Sequence, residues 1–248
     1  MRGRVIAVTS AKGGVGKTTV CSRLGQAFAL MGRRVVLVEL TSGFRTADLM
    51  LRISDKAVYD LSDVFAGTCG GYEDAVVESD DVSGLFYLPA PQDADTEVAA
   101  LAFARVLGQM RARYDHVILD MPPYTGEFNK TVCSQADVTV FVTTPDVISA
   151  RSTHTLAKKC GGSQRLIINR LGVRPLAQEG VRDLDDVIDL SGVQLLGVLP
   201  EDPDGAAKAL SGQMLSRGSL SKRIYNSIAR RIEGEDIPLC VLNKRLSV

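Results

Sequence analysis

The sequence predicts an α/β fold with three layers, in which a mostly parallel, twisted sheet lies between helices on both faces. A glycine-rich turn at residues 12–19 separates an apolar run, residues 5–8, from a segment whose apolar residues recur at helical spacing. Further runs that are mostly apolar, typical of parallel strands buried on both faces, follow at residues 35–38, 117–119, 138–142 and 166–168. Because helical patterns lie between most of these runs, we expect right-handed strand–helix–strand crossovers.

The segments between the strands predict the helical layers. The first helix is expected to end near Met31, because Gly32 follows as its stop. Residues 41–84 are the least regular region, where we expect two amphipathic helical pieces at the edge of the sheet. A short strand is expected at residues 85–88. The remaining helices are expected at residues 95–114, 146–159, 183–190 and 220–233.

The bulk composition indicates a globular protein and argues against one that coats nucleic acid. The chain has 248 residues and no linker, so one domain over residues 1–248 is predicted. Lysine plus arginine and aspartate plus glutamate both number 29, so the basic excess of a nucleic-acid-coating protein is missing and DNA binding is not expected. The sequence has no signal-peptide pattern and no apolar run of membrane-spanning length, which favours a cytoplasmic location.

The glycine-rich turn predicts a phosphate-binding site. Backbone N–H groups at a helix N-terminus converge on one spot, where the helix dipole adds positive potential. Lys17 has the reach to contact β- and γ-phosphates, and the hydroxyl of Thr18 is suited to ligate Mg²⁺. The expected ligand-binding residues of the turn are Gly13, Gly14, Val15, Gly16, Lys17, Thr18 and Thr19. A turn that needs glycine only for its geometry would leave two lysines and two threonines unexplained.

A second signal comes from the strand that ends in Asp120. An apolar run closed by an acid is weak evidence by itself, but after a phosphate-binding turn it indicates a metal-site carboxylate. We expect Asp120 to hold Mg²⁺ through water and to orient Thr18. The two histidines, His116 and His154, lie within a strand run and a helical pattern, so structural roles are expected for them.

Lys12 makes the turn unusual, because it stands one residue before the glycine pair in the pattern K-G-G-x-G-K-T-T. This deviant Walker A motif resembles that of the MinD/ParA family of dimerising P-loop ATPases. Residues 43–49, 58–67 and 197–202 are similar to segments of MinD proteins in particular. The resemblance implies the P-loop NTPase fold and an ATP sandwiched between two subunits, with Lys12 of each subunit reaching the phosphates of the other. Lys12, Lys17 and Asp120 are the residues expected to support hydrolysis.

The resemblance also implies an adenine site. Asn169 matches the adenine-contacting asparagine of the family, and an amide offers the paired donor and acceptor that adenine requires. A turn or cap role for Asn169 is the alternative. Arg170 follows it, and the segment with Pro200 and Asp202 is expected to pass the adenine. An iron–sulfur cluster, present in one branch of the superfamily, would need suitably placed cysteines. The five scattered cysteines instead favour reduced thiols.

Three departures from the MinD pattern carry expectations of their own. The acid-x-acid pair after the second strand reads Glu39-Leu40-Thr41, so Glu39 remains as a metal-site acid while Thr41 lacks the carboxylate that helps to position water. We therefore expect slow hydrolysis. Ser152 replaces the acid of an Arg-Asp pair near the dimer interface. The basic-apolar tail, residues 238–248, is short for an interfacial helix, so only weak peripheral association with the inner face of the membrane is expected.

The leading hypothesis is an ATP-binding, dimerising ATPase switch that acts in the placement of the cell division site. It would use ATP and Mg²⁺, form a homodimer with ATP, and bind a protein partner of the division inhibitor or activator type. A nucleotide-binding scaffold with little hydrolysis is the second hypothesis, favoured by Thr41 and Ser152. A ParA-like partition ATPase is the third, and the neutral net charge counts against it.

Overall fold

A computed structural model describes residues 2–93, 100–123, 126–172 and 174–240. The described strands are β1 (Arg4–Thr9), β2 (Val35–Glu39), β3 (Val77–Glu78), β4 (Leu85–Leu88), β5 (His116–Asp120), β6 (Val138–Thr143), β7 (Gln164–Leu171) and β8 (Leu195–Pro200). They form one sheet in the order β3-β4-β2-β5-β1-β6-β7-β8. Every pairing is parallel except that of β3 with β4.

Helices cover both faces of the sheet. They are α1 (Lys17–Leu30), α2 (Ala47–Leu51), α3 (Leu61–Ala66), α4 (Tyr72–Ala75), α5 (Ala100–Arg113), α6 (Glu127–Gln135), α7 (Val147–Ala157), α8 (Leu184–Ser191), α9 (Pro203–Leu210) and α10 (Leu220–Ile232). A 3₁₀ turn at Leu176–Glu179 precedes α8. Within the described ranges, no helix combines the length and apolar character that crossing a bilayer requires.

The alternation of side chains along β1 shows why two hydrophobic cores form. Ile6 and Val8 point to one face and pack in a core with residues of α1 and α10. Val5 and Ala7 point to the other face and pack with residues of α5, α6, α7 and α8. All four side chains are fully buried, as expected for a central parallel strand. The three-layer α/β prediction is therefore confirmed.

The region from residue 41 to residue 84 differs from its prediction. Instead of two helical pieces it contains three short helices, α2, α3 and α4, and the strand β3. The two residues of β3 are too few to show an alternating pattern, and their pairing with Phe86 and Tyr87 is a tertiary contact. The predicted start of the fourth helix segment, at residue 95, lies outside the described residues. One domain over residues 1–248 stays a prediction.

Candidate nucleotide site

The phosphate-binding turn lies between β1 and α1, at the edge where the parallel strands end. Gly14 and Gly16 have φ angles of +73° and +96°, in the left-handed region that favours glycine. A Cβ on Gly16 would also lie 2.4 Å from Nδ2 of Asn169, so any larger residue there would displace that amide. Gly16 precedes the first residue of α1, and no side chain caps that helix. The N–H groups of the first turn are thus left for an anionic ligand.

Thr18 and Asp120 form the metal corner of the site. The hydroxyl of Thr18 donates a hydrogen bond of 2.5 Å to Oδ2 of Asp120. The other carboxylate oxygen, Oδ1, is buried and accepts no hydrogen bond from the described residues. Burial raises the pKa of Asp120 to about 6, although Thr18, Lys17 and Cys21 oppose the shift. A buried carboxylate with one orphaned oxygen beside a threonine hydroxyl has the donor set that Mg²⁺ prefers.

Lys17 lies beside this corner at the start of α1. Its side chain is buried, and desolvation lowers its pKa, while the negative charge of Asp120 acts in the opposite direction. A phosphate bound at the turn would supply the missing counter-charge for Lys17. The structure therefore brings Lys17, Thr18 and Asp120 together, as the sequence analysis expects.

Glu39 ends β2 directly beside Asp120 in the register of the sheet. Its Oε1 accepts from the N–H groups of Thr46 (3.0 Å) and Ala47 (3.4 Å), and its Oε2 from the hydroxyl of Tyr87 (2.5 Å). Burial raises the pKa of Glu39 to about 7, and these hydrogen bonds hold the shift back. Glu39 thus anchors the segment that follows β2, and its predicted role toward the metal stays a prediction.

The predicted adenine-side residues line one cavity of about 330 Å³ next to the phosphate turn. Those that line it are Gly16, Thr19, Asn169, Arg170, Pro200 and Asp202. Asn169 donates from Nδ2 to the backbone oxygen of Val15, at 2.8 Å, so it ties the end of β7 to the turn. A second N–H and the carbonyl oxygen of its amide remain as the donor and acceptor that adenine requires.

Sequence reasoning missed Arg23, which lines the same cavity four residues after Thr19 on one face of α1. This i, i+4 spacing was a usable signal. Its buried guanidinium donates to the backbone oxygens of Gln213 (2.8 Å) and Gly205 (3.3 Å). Desolvation lowers its pKa. Asp202 is likewise held by protein groups, since it accepts from the N–H of Gly205 and the hydroxyl of Ser221. These contacts shape the cavity wall.

Lys12 points away from its own phosphate turn. Its Nζ lies 2.8 Å from Oγ of Ser149 and 3.4 Å from Oδ1 of Asp146, at the first turn of α7. Hydrogen bonds from Ser149 and Thr144 lower the pKa of Asp146, although burial opposes them. Sequence reasoning did not find this arrangement. The D-x-x-S pattern at residues 146–149 is typical of a helix N-cap and predicts only that cap, not the contact with Lys12.

The segment after β2 begins next to the metal corner. The N–H of Leu40 donates to the backbone oxygen of Asp120, so Thr41 lies one residue beyond that contact. Further on, Arg45 pairs with Asp60, which caps α3 through a reciprocal capping box. The two segments that resemble MinD proteins, residues 43–49 and 58–67, are therefore tied together next to the site.

Ser152 donates its hydroxyl to the backbone of its own helix, at Ile148.

Known proteins are similar to this chain over most of its length. A family model described as an AAA domain matches residues 3–172. The septum site-determining protein MinD of Bacillus subtilis is 32% identical over 252 residues, covering 98% of this chain and 94% of that protein. The similarity therefore spans the phosphate turn, the metal corner and the adenine-side cavity.

Solved structures are similar over the same length. The MinD of a MinC:MinD cell division complex from Aquifex aeolicus has a TM-score of 0.84 and 28% identity, covering 96% of this chain and 98% of that chain. MinD of Pyrococcus horikoshii, complexed with Mg-ADP, has a TM-score of 0.82 and 25% identity, covering 93% and 96% of the two chains. The described fold and these structures share one architecture.

Proposed function

Since this chain belongs to the MinD family of ATPases, we propose that it is a switch that binds ATP and Mg²⁺, pairs with a second copy of itself, and acts in placing the cell division site. The observation that supports this best is the metal corner: Thr18 bonded to Asp120, with an orphaned carboxylate oxygen and Lys17 beside them. When bound, Mg²⁺ would neutralise charge on the β- and γ-phosphates. Thr18 and Asp120 would hold it, and the Mg-ADP complex of the Pyrococcus relative supports Mg²⁺ as the metal.

The turn and Lys17 would bind and orient the phosphates of ATP. Phosphoryl transfer to water depends mainly on positioning and charge neutralisation, so no covalent intermediate with the protein is needed. Asn169 would recognise the adenine from the adjoining cavity, in which Arg170, Pro200 and Asp202 also lie. These proposed roles are supported by placement, since the four residues line one cavity that adjoins the phosphate turn.

Dimerisation is supported by what the site leaves exposed. Lys12 is 39% exposed and contacts α7 rather than its own phosphate turn, so it is available to a partner's nucleotide. Two large apolar side chains near the site are also exposed: Phe44, after β2, at 73%, and Ile148, in the first turn of α7, at 64%. A second copy packed against this edge would cover both side chains, and Lys12 would contact the nucleotide of that copy.

Thr41 supports slow hydrolysis. A carboxylate would hold the attacking water through a charge-assisted hydrogen bond, roughly twice as strong as a neutral one, whereas a threonine hydroxyl is neutral and short. The same observation favours the second candidate function, a nucleotide-binding scaffold that recruits a partner with little turnover. The two differ in one quantity, the turnover of ATP by the dimer.

The relatives support a protein partner for this chain. The Aquifex MinD is solved with MinC, which supports a protein partner of the division inhibitor or activator type for this chain. We place the protein in the cytoplasm, with weak peripheral association at the inner face of the membrane. The tail expected to provide that association is residues 238–248, of which residues 241–248 lie outside the described residues. DNA is not proposed as a partner, because the net charge is zero.

The test of this proposal compares wild type with Lys17→Ala and with Lys158→Ala, an exposed lysine at the end of α7 that serves as control. Calorimetric titration with ATP and Mg²⁺ should show binding by wild type and Lys158→Ala and none by Lys17→Ala. Phosphate release should be measurable and Mg²⁺-dependent in wild type and Lys158→Ala. Binding without Mg²⁺-dependent turnover would favour the scaffold, and undiminished binding by Lys17→Ala would contradict the site.

A further inference from the structure

A second cavity lies at the opposite edge of the sheet, where the parallel strands begin. It has a volume of about 460 Å³ and is bordered by the first residues of β1, β6, β7 and β8. Five arginines line it: Arg2, Arg4, Arg111, Arg165 and Arg231. A strand of six residues, such as β1, spans about 20 Å. This cavity is therefore separate from the nucleotide site.

Among the described residues that line the cavity, the one acid, Asp137, is already paired. Asp137 accepts from Nη2 of Arg111 with both carboxylate oxygens, at 2.8 and 2.7 Å, and its Oδ2 also accepts from the N–H of Val5 at 2.7 Å. Across the described part of the chain, the other four arginines form no ion pair. In a chain with zero net charge, four unpaired arginines around one cavity form a concentrated positive field.

Backbone contacts hold three of these four guanidinium groups in place. Arg4 donates to the backbone oxygen of Ile232, Arg165 to that of Gln164 at 2.8 Å, and Arg231 to that of Ile237 at 2.8 Å. A guanidinium carries five N–H donors, so each group keeps further donors after its backbone contact. The side chain of Arg111 is only 11% exposed, and its buried Nε has no acceptor among the described residues.

We propose that this arginine cavity binds a multivalent phosphate-bearing anion. Planar guanidinium groups bind phosphate oxygens in a bidentate manner, and several of them share the charge of an anion with more than one phosphate. The volume suits one small ligand or one headgroup. The anion is either a free small molecule or the headgroup of a phospholipid, since both present the same chemistry to the arginines.

The direct test uses inorganic tripolyphosphate as the probe and the full chain as the protein. The protein is first saturated with ADP without added Mg²⁺, so that the phosphate turn is filled and the probe stays free of metal. Calorimetric titration should then show binding by wild type. The double variant Arg165→Gln/Arg231→Gln should bind at least tenfold more weakly. The control, Arg105→Gln/Arg223→Gln, removes the same charge from two exposed arginines elsewhere and should bind as wild type does.

Two results would overturn the proposal: no binding of the probe by wild type, or an equal loss of affinity in both double variants. ADP affinity and the melting temperature check that the variants are folded. If Arg165→Gln/Arg231→Gln does not fold, Arg2→Gln decides, because Arg2 is exposed just before β1. Arg2→Gln should weaken probe binding at least threefold, and unchanged binding would overturn the proposal.

Vesicles distinguish the two sources of phosphate. Cosedimentation with phosphatidylglycerol vesicles, compared with phosphatidylcholine vesicles, is measured for wild type and both double variants. Selective loss in Arg165→Gln/Arg231→Gln would identify a lipid headgroup as the ligand. Equal cosedimentation of all three proteins, together with the expected difference in tripolyphosphate affinity, would identify a free anion. No difference between the variants in either assay would refute an arginine site.

Discussion

Asp120→Asn separates the stability of the protein from its function. The substitution keeps the size and shape of the side chain and removes its charge. The carboxylate is buried, and one of its oxygens accepts no hydrogen bond from the described residues. We therefore expect the Asp120→Asn variant to be more stable than wild type without ligands and weaker in binding ATP with Mg²⁺.

The pKa of Asp120 sets the size of the stability effect. Burial raises it from 3.8 to about 6, a shift of about 2 units, equivalent to about 3 kcal/mol at 1.36 kcal/mol per unit. Because the folded state binds the proton more tightly, this stability is present at low pH and lost as pH rises from 3.8 to about 6. Above that range the variant should gain up to about 3 kcal/mol. For a chain of this size the gain corresponds to about 6–12 °C in Tm.

The assay is thermal unfolding without nucleotide or Mg²⁺ over a series of pH values, followed by calorimetric titration with ATP and Mg²⁺. Asp120→Asn should lose affinity by about tenfold or more, equivalent to about 1.4 kcal/mol, while Mg²⁺-free ADP affinity changes little. Asp60→Asn is the matched control, since Asp60 is paired with Arg45 and the loss of its charge should destabilise the protein. If Asp120→Asn also lowered Tm at every pH, the claim that the buried charge of Asp120 destabilises the folded protein would be wrong.

Three further changes test other parts of the site. Tyr87→Phe should destabilise the protein by about 1.5–3 kcal/mol in denaturant titration, because Glu39 loses a buried hydrogen bond. Tyr59→Phe, at an exposed tyrosine, is the control, and equal stabilities of the two variants would contradict the contact. Thr41→Asp should raise the turnover of ATP by about ten- to a hundredfold, if the added hydrogen bond to water is worth about 1.5–3 kcal/mol; no gain at unchanged affinity would mean that another residue positions the water. Asn169→Ala should weaken ATP binding by about tenfold, or about 1.4 kcal/mol, and unchanged affinity would assign the amide a purely structural role.

The layers of the fold were predictable because parallel strands buried on both faces leave a strong pattern. Apolar runs of three or four residues, such as residues 5–8, are best explained as buried strands when helical patterns lie between them. The small elements between β2 and β4 were not predictable in detail. β3 has two residues, and α4 has four, so neither shows a period, and both depend on contacts with distant segments.

The phosphate turn was predictable for a different reason. Its backbone must approach an anion closely, and only glycine permits the left-handed φ of Gly16 together with the nearby amide of Asn169. The groups that complete the site come from far along the chain. Lys12 is 137 residues from Ser149, and Tyr87 is 48 residues from Glu39. No local pattern encodes such contacts, because the strand order of the sheet creates them.

The central claim is that ATP drives two copies of this chain together through Lys12. Light scattering on a sizing column tests it most directly, with wild type and Lys12→Ala each loaded with a non-hydrolysable ATP analogue or with ADP, both in Mg²⁺. Wild type should have the mass of a dimer with the analogue and of a monomer with ADP. Lys12→Ala should still bind the analogue in a titration yet remain a monomer. A wild type that stays monomeric with the analogue, or a Lys12→Ala variant that dimerises as wild type does, would contradict the account.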